Sequence, residues 1–304
     1  MSAPRYMGGQ AVLEGVMMRG ASTYAVAVRD LDGNIKVDVR DVPGWAEKYR
    51  NIPVVRGFMG LGESLGLGFR ALTWSANQQM PEDEQVSEKT LGWAVAFAIL
   101  FATSLFIVLP ALAGNSMHNW LPGGSFPIVE GLARLALFIG YLALISNLKD
   151  IKRVFQYHGA EHKAIAAYEN DVELTPKAAQ QFSTAHVRCG TNFLLTVMVI
   201  AIVIYSFVPR PNIWFVIASR IVLVPVIAGV SYEVIRWAAG NIQRPWVRVV
   251  MKPGLLLQRL TTREPDLDQL EVAITSLRAV MSAEQLAEVD ARAGRITPAV
   301  APAV

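Results

Sequence analysis

The chain has 304 residues, of which 53% are hydrophobic and 17% are charged, and its formal net charge is +3. An ordinary soluble domain has about 25% charged residues. This composition, with a mean hydropathy of +0.34, therefore argues against a purely soluble or disordered protein and indicates a membrane protein. No cluster of Lys or Arg predicts a nucleic-acid interface, so we expect no nucleic acid as a partner. The single cysteine, Cys189, excludes an intramolecular disulfide.

Residues 1–89 are predicted to form an N-terminal cytoplasmic region with a β-hairpin and an amphipathic helix. The stretch Gly8–Gly20 contains four glycines and follows neither a period of 2 nor one of 3.6, so it fits a packed loop or a bulged strand. Tyr24–Arg29 and Asn34–Val39 alternate around an Asp-Gly turn, which predicts a β-hairpin. Gly57–Asn77 has an apolar stripe at helical spacing, which predicts the helix.

Four apolar segments are candidate membrane spans. The first transmembrane pair lies within residues 90–148 and consists of Leu91–Ala113 and Phe126–Leu148. The second pair lies within residues 191–230 and consists of Phe193–Val208 and Ile213–Val230. The last two segments are short for full spans, so partial insertion is a second interpretation. We expect a mainly α-helical membrane protein with about four transmembrane helices and a lipid bilayer as its partner.

The distribution of basic residues predicts the orientation of these spans. The loop Gly114–Ser125 contains no Lys or Arg, whereas residues 149–190 contain six and the tail beyond the fourth span contains more. Because basic loops stay in the cytoplasm, we expect both termini and residues 149–190 on the cytoplasmic side of a bacterial inner membrane. Residues 231–295 are predicted to form cytoplasmic helices, with capping boxes at Asp266 and Ser282. Residues 296–304 are predicted to be disordered.

The cytoplasmic segment 149–190 carries the strongest chemical signal, which reads Tyr-His-Gly-Ala-Glu-His-Lys over Tyr157–Lys163. His158 and His162 are one helical turn apart, so both rings lie on the same face, with Glu161 beside them. Two such imidazoles are able to bind one metal ion, and the adjacent carboxylate then serves as a general base. The order His-x-x-Glu-His is the one used by a class of zinc peptidases. A core stripe of two hydrogen-bonded histidines is the alternative.

Further metal ligands are available nearby in the sequence. His186 lies in the same segment, and three histidines with one open position match a catalytic zinc site. Cys189 is either a fourth ligand, which closes the site, or an inert buried thiol. Glu233 follows the fourth span and is either a carboxylate ligand or the ion-pair partner of Arg236.

Three charged residues lie within the apolar segments. Glu130 and Arg134 are four residues apart and are expected to pair along one helix face. Arg220 also needs a partner at membrane depth, and Glu130 is the candidate. A buried pair that fixes helix packing is the preferred interpretation, and a transport path is the alternative.

Four stretches, Gly8–Gly20, Tyr157–Lys163, Ser183–Thr191 and Leu257–Pro265, resemble the YqhQ-like family of bacterial membrane proteins. The resemblance covers Tyr6 to about Met281. It implies a metal-dependent enzyme, because the family is described as such. Its motif residues correspond here to Glu14, Arg19, His158, Glu161, His162, His186, Cys189 and Glu233.

The sequence therefore predicts a membrane-anchored, metal-dependent hydrolase that acts on a membrane-associated substrate. His158, His162 and His186 would bind zinc, and Glu161 would accept a proton from water. Glu14 and Arg19 would close the site and orient the substrate. The alternative is a non-enzymatic assembly or scaffold factor, in which the histidines and Glu161 form a structural polar core and the C-terminal helices bind a protein partner.

Overall fold

A computed structural model of the chain describes residues 7–81, 84–85, 87–116, 125–186 and 188–294. The protein is mostly helical, and its N-terminal part is a four-stranded antiparallel sheet in which each strand pairs with the next one along the chain. The strands are Gly8–Val12 (β1), Gly15–Arg19 (β2), Thr23–Arg29 (β3) and Ile35–Asp41 (β4). The predicted tail 296–304 lies outside the described residues.

The predicted hairpin is confirmed as β3 and β4, which pair from Thr23 with Asp41 to Arg29 with Ile35. The side chain of Asp30 organises the turn between them. Its Oδ1 accepts hydrogen bonds from the backbone N–H groups of Asp32, at 3.0 Å, and Asn34, at 2.8 Å. Gly33 has a φ of 85°, a left-handed conformation that favours glycine.

The stretch Gly8–Gly20 is a second hairpin. The packed-loop interpretation is therefore wrong, and the strand interpretation is correct except that a two-residue turn takes the place of the bulge. Val12 pairs with Gly15 across a two-residue turn in which Glu14 has a φ of 53°. A Cβ on Gly15 would lie 2.1 Å from the Ala27 carbonyl oxygen, so this strand contact requires glycine. The period of 2 is absent from the sequence because β2 is covered on both faces, and its apolar residues therefore do not alternate with polar ones.

The helices of the described chain are Val55–Gln78 (α1), Glu88–Thr103 (α2), Leu109–Ser116 (α3), Phe126–Ile145 (α4), Lys149–Glu169 (α5), Pro176–Ala179 (α6), Gly190–Ser206 (α7), Ile213–Val222 (α8), Val224–Gly240 (α9), Pro245–Thr261 (α10), Leu267–Ala279 (α11) and Ala283–Asp290 (α12). A five-residue π-helical segment, Ser104–Val108, joins α2 to α3. The predicted helix at Gly57–Asn77 is confirmed as α1, and both predicted capping boxes are present, at the starts of α11 and α12.

The sheet lies between two groups of helices. On one face, side chains such as Val16 and Ala27 pack against α5 and α11. On the other face, side chains such as Met17 and Val26 pack against Leu67 and Ala71 of α1. Residues from β2 and β3 alternate between the two cores, as the period of a strand requires. This arrangement places α5, which carries His158 and His162, directly against the sheet.

Within the residues that the structure describes, two helices are long and apolar enough to cross a membrane, Lys89–Gly114 and Phe126–Ile145. Helices α8 and α9 qualify together as a third span, although they are bent by 45° relative to each other. The bend follows from Pro225 in the first turn of α9, because proline lacks the N–H that would continue the hydrogen-bond ladder of α8. Helix α7 is apolar but has 17 residues. The count of two or three replaces the predicted four.

The predicted pairing of charges between apolar helices is confirmed. Glu130 of α4 accepts hydrogen bonds from Nη2 of Arg134 and Nη2 of Arg220, each at 2.6 Å, and Arg220 also donates through Nε at 3.1 Å. Arg134 donates through Nε to the carbonyl oxygen of Phe106, in the π-helical segment, at 2.7 Å. All three charged side chains are buried. This ion-pair cluster connects α4 to α8 and to the helix that contains Phe106.

Candidate metal centre

Helix α5 supplies the two histidines at the centre of the site. The rings of His158 and His162 lie one turn apart with a centroid distance of 4.5 Å and an edge-to-face geometry. The small residues Ala160, Ala164 and Ala167 are fully buried and let the helix lie close to the sheet. The predicted shared face of the two histidines is therefore present.

Backbone carbonyl groups determine which ring nitrogens of these histidines are available. Nδ1 of His158 lies 2.8 Å from the carbonyl oxygen of Thr261, and Nδ1 of His162 is hydrogen-bonded to the carbonyl oxygen of Thr184. A carbonyl oxygen only accepts, so each Nδ1 carries a proton, and the remaining ring nitrogen, Nε2, is the atom that is able to bind a metal. Hydrogen bonds of this kind orient the histidine ligands of metal sites in proteins.

Cys189 completes a set of three potential ligands. It is the N-cap residue of α7, and its Sγ lies 3.2 Å from Nε2 of His158 and accepts from the Thr191 N–H at 3.4 Å. One ligand atom each from His158, His162 and Cys189 lies within 4.8 Å of the other two. Two imidazoles and one thiolate are donors that zinc prefers, and three protein ligands leave a fourth position open. The residues therefore fit a zinc ion by donor type and tautomer.

His186 approaches this group but lies outside it. Its ring is 5.5 Å from that of His162, and its Nε2 lies 3.6 Å from Oε2 of Glu169, which also pairs with Arg188. The structure therefore groups ligand atoms of His158, His162 and Cys189, and the expected third histidine, His186, lies beside this group. The side chain of Gln258 fixes the backbone of His186 by accepting from its N–H at 2.8 Å and donating to its carbonyl oxygen at 2.7 Å.

Glu161 lines the same cavity as the three potential ligands. The cavity has a volume of about 580 Å³, and its wall also includes Met7–Ala11, around β1. Burial raises the pKa of Glu161 above its usual range, although His158, His186 and a hydrogen bond from the Gly9 N–H favour the carboxylate. Burial also lowers the pKa of His162, so this ring is neutral near pH 7 and is able to bind a metal.

The structure does not bring Glu14, Arg19 or Glu233 to the cluster. Glu14 lies in the turn between β1 and β2, where it pairs with Arg153 and accepts from the Tyr157 hydroxyl at 3.3 Å. Arg19 pairs with the buried Glu63 of α1. Among the residues that the structure describes, none of the three lines the cavity.

Glu233 forms an ion pair, but with a different partner from the expected Arg236. Its Oε2 lies 2.5 Å from Nη2 of Arg56, and its Oε1 accepts from the Val54 N–H at 3.2 Å. Both partners are at the start of α1, far from residue 233 along the chain. This pair therefore links α1 to α9 rather than supplying a ligand.

Several residues that build the site are not identifiable from ligand spacing. Thr184 and Thr261 act through their backbone carbonyls, which any residue has, so their identities give no signal for this role. Gln258 and Thr261 do lie within the family-like stretch Leu257–Pro265, and this is the sequence signal that points to them. Lys163 is buried and donates to the Gln180 carbonyl oxygen at 2.7 Å and to Oε1 of Glu264 at 2.5 Å. The contact between Lys163 and Glu264 connects the stretch Leu257–Pro265 to α5.

Comparison with known proteins identifies the class to which this chain belongs. Residues 52–283 match a family described as a protein of unknown function (DUF1385), so the chain is a member of that family. It is similar to the uncharacterized protein YqhQ of Bacillus subtilis (strain 168), with 34% identity over 303 residues that cover 94% of this chain and 95% of that protein. The resemblance to YqhQ-like proteins is thereby confirmed. No solved structure matches the chain.

Proposed function

We propose that the protein is a membrane-bound, metal-dependent hydrolase in which His158, His162 and Cys189 hold zinc. The observation that carries this proposal is the convergence of three zinc-type donors whose two imidazoles are held in the metal-binding tautomer by backbone carbonyls. An ordinary buried histidine pair needs hydrogen-bond partners for its polar atoms. It does not need two imidazoles of the same tautomer and a thiol grouped together, as here, where the Cys189 Sγ lies 3.2 Å from Nε2 of His158.

The residues around the cluster have separate roles in this proposal. A zinc ion held by His158, His162 and Cys189 would supply Lewis acidity at the site. The carboxylate of Glu161 accepts a proton from the attacking water at one of its Oε atoms, and the Gly9 N–H holds that carboxylate in place. Thr261 and Thr184 orient the imidazoles through their carbonyl oxygens. The cavity wall includes Val154, Phe155 and Ile165, which suits a substrate with an apolar part, such as a membrane-associated one.

The apolar helices are proposed to lie in a bacterial inner membrane, with both termini and the cluster on the cytoplasmic side. Their exposed surfaces support this location, because most of the apolar helix Lys89–Gly114 is not buried and large apolar side chains such as Trp93 and Phe97 are exposed. The basic residues of segment 149–190 support the orientation. Such an extensive exposed apolar surface on a protein in water would promote aggregation.

The first test is elemental analysis of the detergent-purified protein, which should contain about one equivalent of zinc. His162→Ala and Cys189→Ser should lose the metal while keeping the thermal unfolding profile of a folded protein. His186→Ala is the matched control and should retain the metal. Loss of metal in His186→Ala but not in Cys189→Ser would overturn the proposed ligand set.

The second test separates an enzyme from a metal-stabilised structural protein. Glu161→Gln should keep the metal and lower the rate of hydrolysis, screened with ester, peptide and phosphoester substrates, by about 10²–10⁴-fold. A folded wild-type protein without metal would overturn the proposed function. That result would favour the alternative, a scaffold factor in which the same residues form a structural polar core.

A further inference from the structure

Helix α10 presents three surfaces. At 100° per residue, the residues that pack on the protein form one stripe, which comprises Val247, Met251, Gly254, Leu257, Gln258 and Thr261. A second stripe is apolar and exposed, and it comprises Trp246, Val249, Val250 and Leu256. A third stripe is basic and exposed, and it comprises Arg244, Arg248, Lys252 and Arg259. At this spacing the centres of the basic and apolar stripes lie about 130° apart around the helix axis.

The exposed stripes of α10 have the properties of a helix at a membrane surface. Val249 is 68% and Val250 is 66% exposed, although both are apolar. The helix contains no Asp or Glu, and within the described part of the chain none of its exposed cations forms an ion pair. An apolar stripe opposite a Lys/Arg-rich face is typical of helices that lie in the plane of the bilayer interface.

Two tryptophans in contact with each other indicate how deeply this surface lies in the bilayer. Trp246 of α10 and Trp237 near the end of α9 stack with a centroid distance of 5.3 Å and an interplanar angle of 37°, and both are about half exposed. Tryptophan is enriched at the level of the lipid headgroups because its ring is apolar and its N–H is polar. The exposed apolar stripe of α10 is thus continuous with the apolar surface of the bent helix pair.

We propose that α10 lies in the cytoplasmic interface of the bilayer and binds anionic lipid headgroups. Val249 and Val250 reach the boundary with the acyl chains, and Arg248 and Lys252 bind the headgroup phosphates. An acidic protein segment would match the basic stripe but would leave the exposed apolar stripe uncovered. A bilayer surface covers both. The inference rests on the membrane location proposed above and not on the presence of zinc.

The same helix connects this lipid surface to the metal centre. A Cβ on Gly254 would lie 1.6 Å from Oδ1 of Asn192 in α7, so the middle of α10 is in direct contact with the helix that Cys189 caps. One turn later, Gln258 fixes the backbone of His186, and the Thr261 carbonyl orients His158. Binding of α10 to lipid therefore sets the position of the cavity relative to the bilayer.

The depth of α10 is measured by fluorescence quenching in vesicles of phosphatidylcholine and phosphatidylglycerol, each brominated in turn along its acyl chains. A maleimide fluorophore is attached to Val250→Cys, to Phe97→Cys in the apolar helix Lys89–Gly114, and to Lys177→Cys in α6. Wild type gives the background, because Cys189 is buried. We expect quenching at positions 97 and 250 and none at 177. Quenching at 97 alone overturns this inference, and quenching at none of the three overturns the membrane location as well.

The preference for anionic lipid is tested in the labelled Val250→Cys protein. Brominated phosphatidylglycerol should quench at a lower mole fraction than brominated phosphatidylcholine. Arg248→Gln and Lys252→Gln should each reduce this preference by about fivefold at low salt, whereas Lys177→Gln, an exposed cation on α6, should leave it unchanged. An equal preference in all variants overturns the assignment of the basic stripe. The thermal unfolding of each variant is compared with that of wild type.

Discussion

At the scale of single residues, the candidate metal centre depends on the missing side chain of one glycine as much as on its potential ligands. Gly159 lies between His158 and Glu161 in α5, where a Cβ would be 2.1 Å from the carbonyl oxygen of Arg263. The Arg263 N–H in turn donates to the Phe155 carbonyl oxygen at 2.9 Å. The segment that follows α10 therefore runs in backbone contact with α5, and this contact brings Thr261 to His158.

Gly159→Ala should disturb this contact, because the clash is with backbone and not with a flexible side chain. We expect a loss of about 3 kcal/mol in the free energy of unfolding and weaker zinc binding, measured by chemical denaturation and by competition with a chelator. Gly66→Ala in α1 is the matched control, because its Cβ would meet nothing within 4 Å. That variant should gain about 0.5–1 kcal/mol. Equal stability of the two variants would contradict the role assigned to Gly159.

Residue patterns predicted those parts of the site that depend on local geometry. The pair His158 and His162 follows from helical periodicity alone, because both residues are on one helix. The place of Cys189 beside them, and of His186 farther away, depends on how the chain returns from α5 to α7. The same limit explains Glu14 and Glu233, whose partners Arg153 and Arg56 are each more than 100 residues away. Ion-pair choice at that separation is not encoded in a local motif.

At the scale of elements, the two hairpins differ in how clearly the sequence shows them. The β3–β4 hairpin has an Asp-Gly turn and an exposed edge strand with polar residues at alternate positions, so its pattern is visible. The β1–β2 hairpin has two covered faces in β2 and a turn through Glu14 rather than glycine, so its pattern is not. Burial on both faces removes the alternation on which strand prediction depends.

The Asp30 turn predicts a pH dependence of stability. Burial alone would raise the pKa of Asp30, but the Asn34 N–H, Lys36 and the Asp32 N–H together lower it. A lowered pKa in the folded state stabilises the protein at pH values above the ordinary carboxyl pKa of about 3.9 and is lost as the pH falls through the folded value. Wild type should therefore unfold at a higher temperature than Asp30→Asn at pH 6, and the difference should shrink below about pH 4.

The control for this prediction is an exposed carboxylate that does not organise a turn. Asp268→Asn, in the first turn of α11, should show a smaller effect. If the difference between wild type and Asp30→Asn grows as the pH falls, the sign of the Asp30 contribution is wrong.

At the scale of the whole molecule, a sheet covered by helices on both faces is joined to a set of apolar helices. Composition predicted the apolar part, and Pro225 is the reason that one predicted span is a bent pair. Helix α7 has 17 residues, which are few for a hydrocarbon core of about 30 Å, in agreement with the expectation that this segment is short for a full span. Whether a short apolar helix spans a bilayer depends on tilt and neighbours, and these are properties of the assembled protein.

The Glu130 ion-pair cluster should be essential to this apolar part. Glu130→Gln leaves the guanidinium groups of Arg134 and Arg220 buried without their counter-charge, which should cost about 3–5 kcal/mol. The measurement is thermal unfolding in detergent or in a lipid nanodisc. Glu47→Gln, whose pair with Arg50 is exposed on both sides, is the control and should have little effect. Similar unfolding temperatures for the two variants would show that the cluster is not needed for packing.

The π-helical segment Ser104–Val108 has a consequence for how the longest apolar helix is built. A π-helical segment contains one residue more than a regular helical turn. In this protein, the segment includes Phe106, whose carbonyl oxygen accepts the hydrogen bond from Arg134. Deleting one residue there would rotate everything from Leu109 onward by about 100°. The π-helical segment thus sets the rotation of the second half of the helix relative to the first. This rotation determines which side chains contact α4.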